Sequence, residues 1–352
     1  MRYLFLFLIV LMSCTKMDGP LGNTKDPRQN LDLSQFENQY RLLYTTGSGL
    51  YAVDYDGGNS QQLIEHPWMS EIQVSPDAQS FFVASGDNYE NRGIYRYDMD
   101  GANPQLVIDL GHITRDILLS PDGQWLYFIS ESRGPTASWV EHLVVDRNGH
   151  QQTVIATNRN FSDFQWAADG SGLYFTDLDN YGRQLSFRNL NDSTITALSP
   201  EDEYWSWCRI SPDGQWAIYS LLEDIHSMVY ISDLDGGNRL NLSGTEGGYM
   251  PLWAPDGQRV LFNSDRDGDN DLYIINTDGS GFRNLSADNY ETGYLALWAP
   301  DGSRLSFTVA YQGDRSDSRL MIMDPESGYY QFFPDLHTNP VWVPLPISQM
   351  NR

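Results

Sequence analysis

The chain has 352 residues, with 47 Asp+Glu against 22 Lys+Arg and a formal charge of -25. Phosphate backbones repel so acidic a chain, which excludes a nucleic-acid binder. With 40% hydrophobic and 13% aromatic residues it can bury a large core, and its two cysteines cannot frame a disulfide-built domain.

Arg2, an apolar run from Leu4 to Met12, and then Ser13 and Cys14 open the chain. A bilayer takes about 20 apolar residues to span, so this shorter run reads as a secretory signal over residues 1–13. The ending Leu11-Met12-Ser13-Cys14 resembles the bacterial lipobox, which implies that Cys14 becomes the lipidated first residue. An ordinary signal peptide with an incidental cysteine is the alternative. Residues 14–35 lack apolar periodicity and read as a flexible tether, with a reach of roughly 25 Å. Thr15, rather than Asp, follows Cys14, and by resemblance to Gram-negative sorting this implies the outer membrane.

Internal repeats decide the fold of residues 36–347. Ser75-Pro76-Asp77-Ala78 recurs as Ser120-Pro121-Asp122-Gly123, Ala167-Ala168-Asp169-Gly170, Ser211-Pro212-Asp213-Gly214, Ala254-Pro255-Asp256-Gly257 and Ala299-Pro300-Asp301-Gly302. The Asp-to-Asp steps are 45, 47, 44, 43 and 45. Pro sets φ and Gly takes the positive-φ place of a tight turn. A second turn tracks the first at Asp54 to Gly57, Asp98 to Gly101, Asp146 to Gly149, Asp233 to Gly236 and Asn276 to Gly279, with degenerate copies at Asn189 to Ser193 and Asp324 to Gly328. Asp-Gly and Asn-Gly between apolar runs are hairpin signals.

Between the turns lie short strands. One repeat reads Tyr249 to Ala254, Arg259 to Asn263, Asp271 to Asn276 and Phe282 to Ser286, the four-stranded layout of a propeller blade, here lettered A to D. Arg41 to Thr46, Leu50 to Tyr55 and Ser60 to Ile64 supply B, C and D of a blade lacking its A strand. Six full units follow, and Thr338 to Pro344 repeats the A pattern at the far end. The expectation is therefore an all-β, seven-bladed β-propeller of four-stranded antiparallel blades, closed by pieces from both ends. Six blades are the alternative.

These repeats resemble the TolB-type propeller repeat, a WD40-like repeat with a Pro-Asp core. The resemblance is carried best by Trp253-Ala254-Pro255-Asp256-Gly257, Ser264-Asp265-Arg266, Leu272-Tyr273-Ile274 and Asn284-Leu285. It runs from about Tyr40 to Pro344 and implies the fold. The family's namesake has a separate N-terminal α/β domain and a six-bladed ring. This chain has no room for that domain, so the envelope-integrity role does not carry over as such.

In an antiparallel blade the A–B and C–D turns share one face, and the B–C and D–A connections share the other, around the channel mouth. Variable loops on a rigid scaffold are where ligands bind. The D–A set holds His66, Trp68, His112, Phe161, Tyr204, Trp205, Tyr249, Tyr290, Tyr294 and His337, and the B–C set holds Tyr89, Trp139, Tyr181 and Tyr311 beside Glu90, Glu131, Glu223, Asp265, Asp267 and Asp269. Rings beside carboxylates suit sugar faces or a protein partner. The expected contacts are Trp68, Tyr89, Trp139, Tyr181, Tyr204, Trp205, Tyr249, Tyr290 and Tyr294; packing between blades is the bland alternative.

Three constellations invite a stronger reading. Asp265-x-Asp267-x-Asp269-x-Asp271 looks like a calcium loop, but Gly268 is misplaced for an EF-hand and position 276 is Asn. His66, His112 and His337 fall in D–A loops that are consecutive around a closed ring, as a transition-metal set would need; the related propeller of oligogalacturonate lyases uses His at a metal. Solvated or packed histidines are the expectation, with no metal and no cofactor. Trp205-Ser206-Trp207-Cys208 reads as an A strand entering the core, with Cys208 a buried, inert thiol.

The sequence carries no Gly-x-Ser-x-Gly elbow, no phosphate-binding Gly loop, no His-Glu-x-x-His and no Cys-x-x-Cys. The expectation is a monomeric, non-catalytic envelope lipoprotein that binds a protein or glycan and meets the membrane through its N-terminal lipid alone. A metal-dependent propeller lyase or hydrolase acting on a glycan is the alternative, and a structural role in an envelope assembly is a third. Replacing Cys14 by Ser is expected to move the exported chain from the membrane pellet to the soluble fraction, as read by fractionation; unchanged pelleting would refute the lipid anchor.

Overall fold

The computed structural model describes residues 40–344, apart from residues 47, 55–57, 66–68, 86–92, 110, 134–137, 160, 179–182, 224–225, 287–289, 312–313 and 334–340. At 70, 113, 133, 138, 178, 290–295, 311 and 314–318 it describes the strand backbone alone. The expected signal, Cys14 and the tether therefore lie outside the described residues, as do His66, Trp68, Tyr89, Glu90, Tyr181 and His337.

Seven sheets form, each of four antiparallel strands in the order A-B-C-D. Blade 1 takes its A strand, Val341–Pro344, from the far end of the chain and adds Tyr40–Thr46, Gly49–Asp54 and Gln61–Ile64. Blade 2 comprises Met69–Val74, Ser80–Ser85, Gly93–Asp98 and Gln105–Asp109, and blade 3 Ile113–Leu119, Trp125–Arg133, Ser138–Asp146 and Gln152–Thr157. Blade 4 comprises Phe161–Trp166, Gly172–Leu178, Arg183–Asn189 and Ile195–Ala197, and blade 5 Trp205–Ile210, Trp216–Glu223, His226–Asp233 and Leu240–Asn241. Blade 6 comprises Tyr249–Trp253, Arg259–Ser264, Asp271–Asn276 and Arg283–Asn284, and blade 7 Tyr290–Trp298, Leu305–Tyr311, Asp314–Met323 and Tyr330–Phe333. The chain is thus a seven-bladed β-propeller closed as its repeats predict. Tyr40 pairs with Pro344 and Leu43 with Val341 across the closure.

The core is divided among the blade interfaces. The B strands read as unbroken apolar runs because both faces of each sheet are covered. In blade 2, Phe81 and Val83 join Leu43, Leu50 and Val343 of blade 1, whereas Phe82 and Ala84, one residue on, join Leu126 and Phe128 of blade 3. The same alternation continues through the remaining interfaces and ends where Ala299, Leu320 and Phe333 of blade 7 meet Leu42, Val53 and Trp342 of blade 1. Each fully buried Phe or Leu in these layers contributes about 1.5–3 kcal/mol.

The repeated turn motifs are pins. In the A–B turns, Ser75, Ser120 and Ser211 donate their hydroxyls to Asp77, Asp122 and Asp213 at 2.6, 2.6 and 2.5 Å, and each Asp accepts the amide two residues on. In the C–D turns, Asn59, Asn103 and Asn238 donate to Asp54, Asp98 and Asp233 at 2.8, 2.6 and 2.6 Å. One strand departs from its expected length. The D strand of blade 6 is Arg283–Asn284 rather than Phe282 to Ser286, because Leu285 turns into the core and the Ser286 hydroxyl caps the Leu272 amide at 2.8 Å.

The A–B turns of successive blades touch. A Cβ on Gly123, at φ 68, would stand 2.9 Å from Pro76 Cδ of the preceding turn. Blade 2 has Ala78, at φ 52, where the other turns have Gly. Gly123→Ala is therefore expected to destabilise the fold by at least ~1 kcal/mol, and Ala78→Gly to stabilise it by up to ~1 kcal/mol. Urea midpoints that moved the same way for both would contradict this account.

Candidate functional site

The A strands are the innermost, since they contact their counterparts in neighbouring blades. Those of blades 2 to 6 are each interrupted at one place, whereas the closing strand of blade 1 pairs without a slip. The A–B register slips between Ser70 and Gln73, Arg115 and Leu118, Ser162 and Gln165, Ser206 and Arg209, and Tyr249 and Leu252. The first residue of each of these five bulges is left-handed: Glu71, Asp116, Asp163, Trp207 and Met250 have φ of 57, 56, 57, 55 and 54. None is glycine, so each costs about 1–2 kcal/mol. Such strain persists only where neighbours over-determine it, and it collects at functional places. A bulge also re-aims its side chain, and in blades 2 to 4 that side chain is a carboxylate.

Side chains from the bulged strands bridge the blades where no backbone ladder can. Glu71 Oε2 accepts the Ile117 amide of blade 3 at 2.7 Å. Gln165 both accepts the Ile210 amide and donates to the Ile210 carbonyl of blade 5, at 2.9 Å each. The Trp166 and Trp253 indoles donate to Leu118 O and Arg209 O of the blades before them, at 3.1 and 3.0 Å.

Charges gather at these bulges. Arg115 pairs with Asp116 and, at 3.3 Å, with Glu131. Asp163, with its side chain 7% exposed, lies 3.8 Å from Arg183 Nη1 and 3.6 Å from Arg209 Nη1. Its Oδ2 also accepts the Thr176 hydroxyl at 2.8 Å, and Thr176 Oγ1 lies 2.8 Å from Ser162 Oγ. Arg159 pairs with Asp177 nearby in the chain fold. Burial pushes the Glu71 carboxyl up to about 7, with Asp116 adding to the rise and the Ile117 amide and Arg115 opposing it.

The expected ring residues fare differently. Tyr204 is 42% exposed. It is fixed by Arg183, whose Nε donates to its hydroxyl at 2.8 Å and whose guanidinium sits 5.2 Å from its ring. Trp139 is half-buried and meets the His112 ring edge-on at 4.8 Å. Tyr249 is half-buried and donates to Asn270 at 2.8 Å. Trp205 is not on the loop face: it is 0% exposed, stacked on Tyr219 at 3.7 Å, with its indole donating to Glu203 at 2.7 Å. Phe161 is likewise buried, against Phe175 and His142. Tyr290 and Tyr294 lie in the A strand of blade 7, and their side chains are outside the described set. Trp139, Tyr204 and Tyr249 belong to different blade junctions and form no single cluster.

Two carboxylates of the acidic turn of blade 6 spend oxygens internally. Asp267 accepts the Tyr273 hydroxyl, and Asp271 accepts Asn284 and Ser286 at 2.8 and 3.0 Å. Among the described residues no three His, Cys, Asp or Glu side chains gather as metal ligands would. Cys208 is buried, and burial pushes its thiol well up. His142 bridges Tyr127 and the Arg159 carbonyl, and burial pulls its pKa down. That carbonyl can only accept, so Nε2 carries the proton and Nδ1 accepts from the tyrosine.

The residues missed in sequence are Glu71, Asp116, Asp163, Arg183 and Arg209. The bulged residue always stands four before the first residue of the A–B turn motif, as Asp116 does before Ser120. That offset was there to be found.

Comparison with known proteins agrees with this architecture. The family model described as the TolB beta propeller domain matches residues 39–288 and 137–344. An uncharacterised protein of Agrobacterium fabrum is 26% identical over 239 residues, 64% of this chain and 79% of its own. Among solved structures, a putative TolB from Agrobacterium tumefaciens aligns at 20% identity and TM-score 0.50, over 70% of this chain and 95% of its own. A manganese-bound oligogalacturonate lyase aligns at 17% identity and TM-score 0.62, over 80% of this chain and 84% of its own. These two likenesses concern the fold alone.

Glu71 has a pKa of about 7 in the fold against an ordinary 4.5. Its contribution to stability is complete below the unfolded value and is lost as pH rises through the folded one, up to about 3 kcal/mol in all. Glu71→Gln keeps an oxygen for the Ile117 amide and is expected to flatten that fall between pH 5 and 8, measured by urea unfolding; an unchanged slope would refute it.

Proposed function

The chain belongs to the TolB beta propeller domain family, and from that premise we propose that it is a non-catalytic binding module of the cell envelope, lipid-anchored at Cys14. It presents the B–C/D–A loop face to a protein or glycan partner. It acts as a monomer on the outer membrane and needs no metal or cofactor.

One observation carries this reading: Tyr204, on a D–A connection, is both exposed and immobilised, with Arg183 stacked on its ring and bonded to its hydroxyl. A ring already held in place loses little freedom on contact, which is what a binding surface needs from an aromatic anchor. Trp139, half-buried on the same face with the His112 ring edge-on against it, is a second ring held in place. The envelope location is supported by the signal-like start, the lipobox-like ending at Cys14 and the family's namesake.

With lipid-free protein as bait in envelope extract, Tyr204→Ala and Trp139→Ala are each expected to lower capture of the specific partner about tenfold while leaving the melting temperature nearly unchanged. Trp205→Ala is expected to destabilise the fold instead, by about 3–5 kcal/mol. Capture indifferent to Tyr204 and Trp139 would place the binding face elsewhere. A stoichiometric divalent ion in the purified protein, lost with His112→Ala, would replace this reading by the metal-dependent lyase.

A further inference from the structure

The junction of blades 4 and 5 holds a charge arrangement that ring closure does not require. Two guanidiniums, Arg183 and Arg209, stand within ion-pair distance of one carboxylate, Asp163. Asp163 comes from the strained bulge of blade 4, Arg183 from the start of the C strand of the same blade, and Arg209 from the A strand of blade 5. The arginine side chains are 26% and 34% exposed, whereas Asp163 is 7% exposed. Solvent thus reaches the cations more readily than the anion between them. Arg183 uses Nε for the Tyr204 hydroxyl and Nη1 for Ser162; Arg209 uses Nη1 for the Cys208 carbonyl. Among the described residues the Nη2 groups of both take no protein partner.

We propose that Arg183 and Arg209 receive the free α-carboxylate that ends a polypeptide partner, with the partner's last side chain lying on Tyr204. This rests on the reading of the loop face as a binding surface and names the chemistry that one part of it recognises. Guanidinium forks match carboxylates with paired, charge-assisted hydrogen bonds. The ligand's charge is single for an electrostatic reason: the chain carries -25 overall, so each further anion on the ligand adds repulsion from the protein as a whole. It is a chain terminus rather than a sugar acid because of what the site lacks. The neighbouring hydroxyls of Ser162 and Thr176 are committed to each other, to Asp163 and to Arg183. That leaves donors and a flat ring, which suit a carboxylate beside an apolar side chain better than a polyol needing acceptors as well.

Calorimetric titration of the purified protein with N-acetyl-Ala-Ala-Phe, with its C-terminal amide and with sodium glucuronate tests the assignment. The free acid is expected to bind, the amide about tenfold more weakly or not at all, and Arg209→Gln to weaken the acid by a similar factor. Asp163→Asn, which removes the internal competitor while keeping a similar shape, is expected to tighten binding of the acid about threefold or more; a purely structural ion network would show no such gain. The amide matching the acid, glucuronate binding through Arg209 in place of the peptide, or no binding of any probe at about 10 mM would each overturn the proposal. Were partner capture still lost in Tyr204→Ala while these titrations failed, the binding face would stand and only the carboxylate assignment would fall.

Discussion

A blade in this chain is a sheet with two apolar faces, and neither face can be buried within the blade itself. Phe81 faces one neighbour and Phe82 the other, and the same holds round the ring. No blade is complete until both of its neighbours are in place, and the first is not complete until the last strand has been added. Ring closure is therefore the condition on which the seven separate core layers depend. The short D strands of blades 5 and 6, two residues each, are tolerable for the same reason: most of a blade's stabilisation comes from its faces and little from its outer edge.

Closure also explains the inner strands. Neighbouring A strands come close without sharing a ladder, and buried amides without partners are expensive. The bulges and their side chains resolve this: Glu71 answers the Ile117 amide, Gln165 clasps both groups of Ile210, and Trp166 and Trp253 reach back to carbonyls. The left-handed residues at these places are held there by the ring. Where the re-aimed residue is Asp163, the same device leaves a carboxylate between two arginines, one of which holds Tyr204, so one local distortion serves assembly and also builds this charge cluster.

The parts legible in sequence were those written in short-range turn chemistry. Pro-Asp-Gly and Asp-x-Asp-Gly turns repeat at a steady spacing, and blade number follows from counting the strands between them, including the solitary A pattern around Trp342. The site was harder because its residues are not loop residues. Asp163 and Arg209 sit inside strands, where alternation alone assigns them to one face of a sheet, and nothing in alternation announces a bulge. Trp205 erred in the opposite direction. It begins its strand at the mouth of a connection, as a ligand contact would, and the strand starts where the pattern placed it, yet the ring turns inward and is spent on Tyr219. The capping serines, Ser199, Ser243 and Ser286, each bonded to a C-strand amide fourteen residues earlier, were likewise invisible, since a Leu-Ser step after a strand carries no distinctive pattern.

The seam of the ring has a mechanical meaning. Tyr40–Thr46 is the first described strand, and it lies between Val341–Pro344 on one side and Gly49–Asp54 on the other. A pull on the segment before Tyr40 acts along this strand's own axis. Its four residue pairs with the closing strand and its six with the following one are then loaded together in shear rather than peeled apart one by one. The first and last described strands are neighbours where such a force enters, so the load falls on two ladders at once and on the seam that closes the ring.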